Sequence, residues 1–399
     1  MKKILIALLV ALALFSFVSC GKKAETGTTT TTQTSTTSTT TAEAPKTEVK
    51  APETPAKVEE TKVETPAPVV EAPAPVVETP KATSGKYKLG MGVVYSDSSS
   101  TTQAAYSATV AAVVVDENGV IVDCKIDCAQ NKMNGDAVDP EKTFKSKYEL
   151  GFDYNMVKFS EATNEWFQQA DAFASYVVGK TGEEVANLPT RVRGADEPHP
   201  GYVVTTDETL FASCSISIPD FKEAVAKAAA DPYAQEFETK NSFKLGVKCQ
   251  SSAEDSTAPA DGKNGTIKMY VNFGAAVVGA DGKILASVTD AIQPTHEVDE
   301  FGEIVKNTYK GTKKELGFDY NMVKFSEATN EWFQQAAAFE DYCVGKTADE
   351  VLALPTRVRG ENEPHPGYVV TADESLFASC SISIPGFQSV IAKAANNAE

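Results

Sequence analysis

The pattern of apolar and polar residues predicts the same elements twice along the chain. KYKLGMGVVY predicts an opening strand, and SATVAAVVVDENGVIVDCKID places two apolar, β-branched segments on either side of a turn that ends at Gly119. AAVVGADGKILASVTD repeats this pattern around Gly282. Because two such segments joined by a short glycine-containing turn are typical of a β-hairpin, we predict one hairpin in each half of the chain.

After the hairpin, the spacing of apolar residues predicts a helix. In SEATNEWFQQADAFASYVVG apolar residues recur every three or four positions, and Gly179 marks the end of the pattern. The apolar positions are Ala162, Trp166, Phe167, Ala170, Phe173, Ala174 and Val177. A TxxE pattern predicts a capping box at Thr181 and Thr347, and a proline predicts the start of a closing helix at Pro219 and Pro385. The preceding ELGFDYNM segment predicts a turn packed by its aromatic residues.

The segment LFASCSISI alternates between apolar and polar residues, which predicts a strand with a serine face. Ala212, Cys214, Ile216 and Ile218 would lie on one side, with Phe211, Ser213, Ser215 and Ser217 on the other. The second half has Ser379, Ser381 and Ser383 at the matched positions. Each half therefore predicts an α+β domain, a small antiparallel sheet with helices against one side.

A constant offset of 166 residues relates the two halves. ELGFDYNMVKFSEATNEWFQQA occurs at 149–170 and again, unchanged, at 315–336, and LPTRVRG, EPHPGYVVT and LFASCSISIP recur at the same offset. We predict two tandem copies of one domain, repeat 1 at 85–232 and repeat 2 at 241–399. A functional residue is then expected in both copies.

The first residues predict export and lipidation. In residues 1–20, Lys2 and Lys3 precede an apolar segment and Ser19 precedes Cys20, as in a bacterial lipoprotein signal peptide. Acylated Cys20 would attach the protein to a membrane outside the cytoplasm, in the periplasm or at the cell surface; the alternative is an ordinary signal peptide with an incidental cysteine. Residues 21–84, rich in Thr and then in Pro, Glu and Val, predict a disordered linker.

Net charge disfavours two classes of partner, and the cysteine pattern argues against a disulfide scaffold and a zinc site. The formal net charge is −18, with no basic cluster outside the extreme N-terminus, which disfavours nucleic acid and anionic lipid surfaces as partners. Beyond Cys20, only Cys214 and Cys380 match between the repeats, so we expect buried or free thiols and no disulfide scaffold. The CxxxC of Cys124 and Cys128 lacks the spacing and histidine partners of a zinc site, and no metal site is predicted.

Two features carry candidate binding chemistry. The serine faces precede a helix N-terminus, where an anion such as phosphate is favoured; the alternative is a half-buried strand with its polar side in water. The loop TRVRG…EPHPGY offers planar, multi-donor side chains that suit phosphate or carboxylate, or that pair with local acids such as Glu197. These side chains are Arg191, Arg193, Arg357 and Arg359.

Other residues allow further interpretations. Trp166 and Trp332 would wall a slot for an aromatic ring or belong to the core. Cys214 or Ser215 with His199 and Asp196 or Glu197 would supply the residue types of a nucleophilic triad, whereas Asn362 replaces the aspartate in repeat 2. His199 and His365 are the duplicated histidines. No GxSxG, HExxH, P-loop or GxGxxG motif accompanies them, so we expect a carrier or binding protein rather than a catalyst.

The lipid-anchored tether, the duplicated hairpin and the closing ASCSIS…FKEAVAKA segment resemble bacterial FMN-binding-domain lipoproteins. In that family a threonine of a motif like SGATxTS is joined through phosphate to FMN. The resemblance places Ser215 and Ser381 at the attachment position, and Ser217 and Ser383 two residues beyond; Ser213 and Ser379 replace the glycine. It implies FMN as cofactor and electron transfer to a redox partner protein. The alternative is a cofactor-free surface lipoprotein that binds a ligand or partner through two equivalent sites.

Overall fold

A computed structural model describes residues 85–399. The predicted signal peptide, the acylation site at Cys20 and the predicted linker lie outside these described residues. All of the described residues belong to one compact unit. Within 85–399, no helix combines the length and the apolar character that crossing a membrane requires.

Repeat 1 contains a series of helices and three strands of a four-stranded antiparallel sheet, which is completed by a strand from the connection to repeat 2. The sheet has the order β3-β2-β1-β6 and is formed by β1 (Gly85–Asp97), β2 (Gln103–Asp116), β3 (Ile121–Asn134) and β6 (Gln235–Thr239). The helices are α1 (Lys147–Leu150), α2 (Met156–Phe159), α3 (Trp166–Val177), α4 (Gly182–Ala186), α5 (Glu208–Ser213) and α6 (Pro219–Ala229), with a 3-10 turn at Gly151–Tyr154. A separate two-stranded ribbon pairs β4 (Thr190–Val192) with β5 (Val203–Thr205).

Repeat 2 follows the same order of elements and adds a third sheet. Its main sheet, of order β10-β9-β7, is formed by β7 (Phe243–Ser252), β9 (Tyr270–Gly279) and β10 (Ile284–Ile292). The added sheet contains β8 (Gly265–Lys268), β11 (Thr295–Val298) and β12 (Ile304–Thr308). The remaining elements are α7 (Lys313–Leu316), a 3-10 turn at Gly317–Tyr320, α8 (Met322–Phe325), α9 (Trp332–Cys343), α10 (Ala348–Leu352), β13 (Thr356–Val358), β14 (Val369–Thr371), α11 (Glu374–Phe377) and α12 (Pro385–Asn396). The predicted α+β class is confirmed.

The two main sheets pack face to face. Leu89 and Val110 of the first sheet share one apolar core with Leu245 and Phe273 of the second. The outer face of the first sheet is covered by α3 and α6, and that of the second by α9 and α12. The result is four layers, helices on sheet on sheet on helices, whose central core is common to both repeats.

This arrangement explains the long apolar strands. Along β2, Val110, Ala112 and Val114 face the other sheet, whereas Ala111 and Val113 face the helices. A strand buried on both faces reads as a continuous apolar segment rather than an alternating one. β6 lies between the predicted ends of the two repeats, at 232 and 241, and pairs with β1.

Most local predictions are confirmed. Both hairpins form, and Gly119 takes the positive φ of 76° that its turn requires. Thr181 and Thr347 form capping boxes, and both closing helices begin with proline. The long helix starts at Trp166 rather than Ala162, because the Gln168 side chain accepts the Glu165 N–H and so begins the first turn there. The predicted ELGFDYNM turn is built from short helices.

The predicted serine-faced strand is wrong. Residues 208–213 form α5, and the Asp207 carboxylate caps it by accepting the N–H groups of Thr209 and Leu210. Side-chain capping satisfies main-chain donors locally, and here it outweighs the alternating pattern of a short segment. Ser215 and Ser217 lie in an irregular connection between α5 and α6, which we call the serine connection, residues 214–218. Ser381 and Ser383 occupy the same place in repeat 2.

Candidate functional site

Sequence identity between the repeats is concentrated in one region of each. Segments 149–170 and 315–336 are identical, whereas the core strands β1 and β7 share few residues. Segments 188–219 and 354–385 differ at Ala195/Glu361, Asp196/Asn362, Thr206/Ala372 and Thr209/Ser375. We call 149–170 with 188–219 the cap of repeat 1, and 315–336 with 354–385 the cap of repeat 2. Core packing constrains buried residues while surface loops are free to vary, so identical caps on diverged cores point to a shared role of the caps.

Gln169 of α3 holds the serine connection in place. Its side chain is buried, and its Oε1 accepts the N–H groups of Ser215 at 2.8 Å and Ile216 at 3.1 Å. Its Nε2 donates to the carbonyl of Asn164 at 2.9 Å, and the Asn164 amide donates to the carbonyl of Ser213. Gln335 makes the same bonds in repeat 2. The unchanged ATNEWFQQ segment therefore fixes the cap through the side-chain amides of Asn164 and Gln169.

The same segment also fixes α2. The carboxylate of Glu165, which is largely buried, accepts the N–H of Met156 at 2.7 Å and of Val157 at 3.3 Å. These N–H groups have no partner within the helix, and a carboxylate at a helix N-terminus also interacts favourably with the helix dipole. Met156 in turn contacts Gln169 through its sulfur. One hydrogen-bonded network therefore joins α2, α3 and the serine connection.

Arg191 pairs with a local acid, which was one of the two interpretations of its sequence. Its guanidinium donates two hydrogen bonds to the Glu197 carboxylate, at 2.7 and 2.8 Å. This pairing lowers the pKa of Glu197 to about 2. Arg357 and Glu363 form the same bidentate pair. The arginine at this position is therefore already engaged in both repeats.

Arg193 contacts the serine connection through main-chain oxygens. It donates to the carbonyls of Ser215 at 2.6 Å and Pro198 at 2.5 Å. Arg191 and Arg193 both lie over the ring of Phe211, at 5.3 and 5.6 Å, so they point to the same side of β4. Arg359 binds the Ser381 and Pro364 carbonyls in the same way. The structure thus brings the predicted arginines and serines together.

Most of the cap donors that could hold an FMN phosphate already have partners, although the Nε of Arg193 is buried without one. The amides of Ser215 and Ile216 are bonded to Gln169, and the terminal guanidinium nitrogens of Arg193 are bonded to carbonyls. The Ser213 hydroxyl donates to the Leu210 carbonyl. Two clefts of about 530 and 430 Å³ lie away from the serine connection and are lined by other residues. Cofactor binding by the predicted residues Ser213, Ser215, Ser217, Arg191 and Arg193 stays a prediction.

The candidate nucleophiles have no base beside them. Burial raises the pKa of the Cys214 thiol to about 12, which keeps it protonated at neutral pH. The His199 ring stacks on Tyr202 at a centroid distance of 5.2 Å, and the Glu197 carboxylate binds Arg191. Among the described residues, no hydrogen bond joins His199 to Cys214 or Ser215. The same described range holds no cluster of three or more His, Cys, Asp or Glu side chains placed to bind a metal.

The tryptophans and cysteines have structural positions. Trp166 and Trp332 are 3% and 2% exposed and pack edge-on against Phe221 and Phe387, so the interpretation as core residues is confirmed. The described cysteines are all buried and free, as predicted. Neither residue type lines a site in the caps.

The exposed apolar side chains of the caps were missed by sequence reasoning. Phe152 is 71% exposed, Phe159 is 77% exposed and Val192 is 62% exposed. The matched side chains Phe318, Phe325 and Val358 are exposed to a similar degree, as are Tyr202 and Tyr368. The signal was present in the sequence, because Phe152 and Phe159 fall outside the helical spacing of α3 yet recur unchanged. Each cap thus presents the same set of apolar side chains to solvent.

Comparison with known proteins finds no matching family model, no matching curated protein and no matching solved structure.

Proposed function

We propose that this protein is a cofactor-free, lipid-anchored binding protein that contacts its partner outside the cytoplasm through two equivalent caps. The observation that carries the proposal is the exposure of identical apolar side chains, led by Phe152 and Phe159, in caps that stayed the same while the cores diverged. Residues that stay the same in exposed loops are a stronger sign of binding than residues that stay the same in a core. Many polar groups of the cap are bonded to one another, among them Gln169, Glu165 and the Arg191–Glu197 pair, which favours a surface that binds over one that reacts.

Two caps on one compact unit favour a repeated or extended partner. Linking two equal sites raises overall affinity without new contacts, provided that both can engage at once. Anchoring through Cys20 and the linker of residues 21–84 would hold both caps at the same membrane. The partner is a protein or another repeated surface component of the cell envelope, and nucleic acid is disfavoured by the net charge of −18.

Point variants test this better than deletions, because the repeats share a core and removing one exposes the inner sheet of the other. The protein of residues 85–399 would be labelled with a fluorophore and titrated onto cell envelopes. The envelopes would come from a strain of the producing bacterium that does not make this protein. Phe152→Ser with Phe159→Ser disables cap 1, and Phe318→Ser with Phe325→Ser disables cap 2. We expect each single-cap variant to lose at least about tenfold in affinity and the combined variant to lose binding.

A matched control keeps the interpretation clear. Val305→Ser changes an apolar residue that is 52% exposed and lies on β12, outside both caps, and it should bind as the wild type does. Full binding by the variant with both caps disabled would overturn the proposal. Thermal unfolding of each variant checks that the fold is retained.

Electron transfer through bound FMN, which the resemblance implies, is the second candidate. The observation that favours it is the Nε of Arg193, a buried donor without a hydrogen-bond partner, which is repeated at Arg359. Phosphate binding by the terminal guanidinium nitrogens would require them to leave the carbonyls that they now contact. The visible spectrum and intact mass of protein made beside a flavin-attaching enzyme test it: a flavin absorbance and mass on either repeat supports this candidate, and a colourless protein of unmodified mass opposes it.

A further inference from the structure

The ribbon of each cap has one open edge. Arg193 donates its N–H to the Tyr202 carbonyl, and Thr206 donates to the Pro189 carbonyl. In an antiparallel pair, only every second residue of a strand directs its main-chain N–H and C=O groups towards the partner strand. In β4, Arg191 directs these groups towards Val204, whereas Thr190 and Val192 direct theirs away from β5. No hydrogen bond from these outward groups is found within 85–399. The other side of the ribbon is occupied, because Ile218 donates to the Val203 carbonyl.

Repeat 2 has the same open edge. Arg359 donates to the Tyr368 carbonyl and Ala372 donates to the Pro355 carbonyl, which leaves Thr356 and Val358 facing outward from β13. Ile384 covers the far side of β14. The ribbon sequence LPTRVRG is identical in both repeats. The open edge is therefore a property of both caps.

These edges lack the usual protection on their outward face. Proteins commonly blunt exposed strand edges with charged side chains that point outward. Here Arg191 and Arg193 both lie over Phe211 on one face of the ribbon, and Val192, 62% exposed, lies on the other face. Val358 is 63% exposed at the matched position. A β-branched apolar side chain beside unpaired main-chain groups favours the addition of another strand.

The charge around each ribbon selects among extended peptides. Residues 181–210 carry six carboxylates, at positions 183, 184, 196, 197, 207 and 208, against the guanidiniums of Arg191 and Arg193. Residues 347–376 likewise carry six, at 349, 350, 361, 363, 373 and 374, against Arg357 and Arg359. Six acids less two arginines leave a net charge of −4 along each segment, and Lys222, which donates to the Leu188 carbonyl beside the first ribbon, makes it −3 there. A positively charged segment is therefore attracted and an acidic one is repelled.

We propose that β4 and β13 are strand-addition sites, each of which takes an extended, positively charged peptide segment as the third strand of its ribbon. This inference rests on the proposed binding function of the caps and names the partner as a polypeptide. Main-chain bonds would come from the outward groups of Thr190 and Val192, and Val192 would contact an alternate side chain of the peptide. With so few paired residues each site is weak, and the two sites together supply the affinity.

The probe is a labelled, blocked hexapeptide with alternating threonine and valine between terminal lysines, titrated against the 85–399 protein and followed by fluorescence anisotropy. Two control peptides are matched to it. One carries N-methyl groups on alternate amides and so lacks main-chain donors, and the other has glutamate in place of lysine. We expect at least about tenfold weaker binding of each control, and binding of the lysine peptide that weakens with added salt.

The protein variants test the edge itself. Val192→Pro combined with Val358→Pro removes the outward N–H of each strand and should lower peptide affinity at least about tenfold. Val192→Thr combined with Val358→Thr keeps the N–H groups and the β-branched side chains, and it should bind the peptide more tightly than the proline pair does. Amide hydrogen exchange at Thr190 and Val192 should slow when the peptide is added. The thermal unfolding midpoint of the proline variant confirms that only the edge has changed.

The outcomes separate the two proposals. Absence of peptide binding, equal binding of the N-methylated peptide, or full binding by the proline variant would overturn strand addition. Self-association of the protein alone, abolished by the proline pair, would assign the edge to a second copy and also overturn the peptide proposal. If the Phe152 and Phe159 variants still lose envelope binding in those cases, the proposed binding function stands without this mode of contact.

Discussion

Lys314 and Glu340 form an ion pair inside repeat 2, with 2.9 Å between Nζ and Oε1 and both side chains about 5% exposed or less. Thr289 donates its N–H and its hydroxyl to the same carboxylate. Repeat 1 has Tyr148 and Ala174 at the matched positions, so the pair is replaced there by two uncharged side chains. The same two positions are therefore occupied by a buried ion pair in repeat 2 and by uncharged side chains in repeat 1.

We predict that Glu340→Ala alone destabilises the protein by roughly 3 kcal/mol, because it leaves the Lys314 ammonium buried without its partner. Lys314→Tyr combined with Glu340→Ala installs the residues of repeat 1 and should recover most of that loss. Denaturant unfolding of the 85–399 protein measures both values. An equal or larger loss in the combined variant would show that the site cannot accept the uncharged pair.

Gln169→Leu should loosen one cap without unfolding the protein. The change leaves the Ser215 and Ile216 amides without an acceptor, at a cost of roughly 2 kcal/mol or more, and amide hydrogen exchange at both residues should accelerate. Gln335→Leu is the matched control and should affect only the serine connection of repeat 2. Unchanged exchange at Ser215 would contradict the role assigned to Gln169.

Asp290 should make stability fall as pH rises from about 4 to about 6. Burial raises its pKa from 3.8 to about 6, against the opposing effects of Thr312 and Lys314. The folded protein then holds a proton that the unfolded chain has released, so unfolding becomes easier as pH rises through this window, by roughly 3 kcal/mol in all. Asp290→Asn should lose this part of the pH dependence, whereas the part due to Asp171, whose pKa burial also raises to about 6, should remain. Denaturant unfolding at several pH values checks it, and identical pH profiles for both proteins would contradict it.

The described thiols should be unreactive in the native protein. All of them are buried, and burial raises the pKa of both Cys214 and Cys380 to about 12. A chromogenic disulfide reagent at pH 8 should react only after the 85–399 protein is unfolded. Ser217→Cys places a thiol at an exposed position of the serine connection and should react at once. Rapid reaction of the native wild type would show that the core opens.

The sequence predicted elements whose signals are local. The glycine turn at Gly119, the capping box at Thr181 and the proline start at Pro219 each depend on neighbouring residues, and each forms as expected. The packing of the two sheets into a common core could not be predicted. Apolar residues on both faces of β2 indicate that both faces are buried, but not which elements cover each face. The prediction of a serine-faced strand was wrong because Asp207 caps a helix at that point.

The candidate site was predictable in part. The pairing of Arg191 with Glu197 followed from residue type and proximity in the chain. The open edge at Val192 and the exposure of Phe159 could not be predicted in this way, because both depend on which side of each short element faces solvent in the folded protein. The exact repetition of their segments was the available signal.

Hydrogen exchange of the 85–399 protein bound to envelopes of the producing bacterium tests the central claim most directly. The two-cap account predicts that exchange slows in 149–159 and 315–325, and in 190–203 and 356–369, to the same extent in both repeats, while the strands of the central core are unaffected. Protection of only one cap, or protection confined to other surfaces, would contradict it.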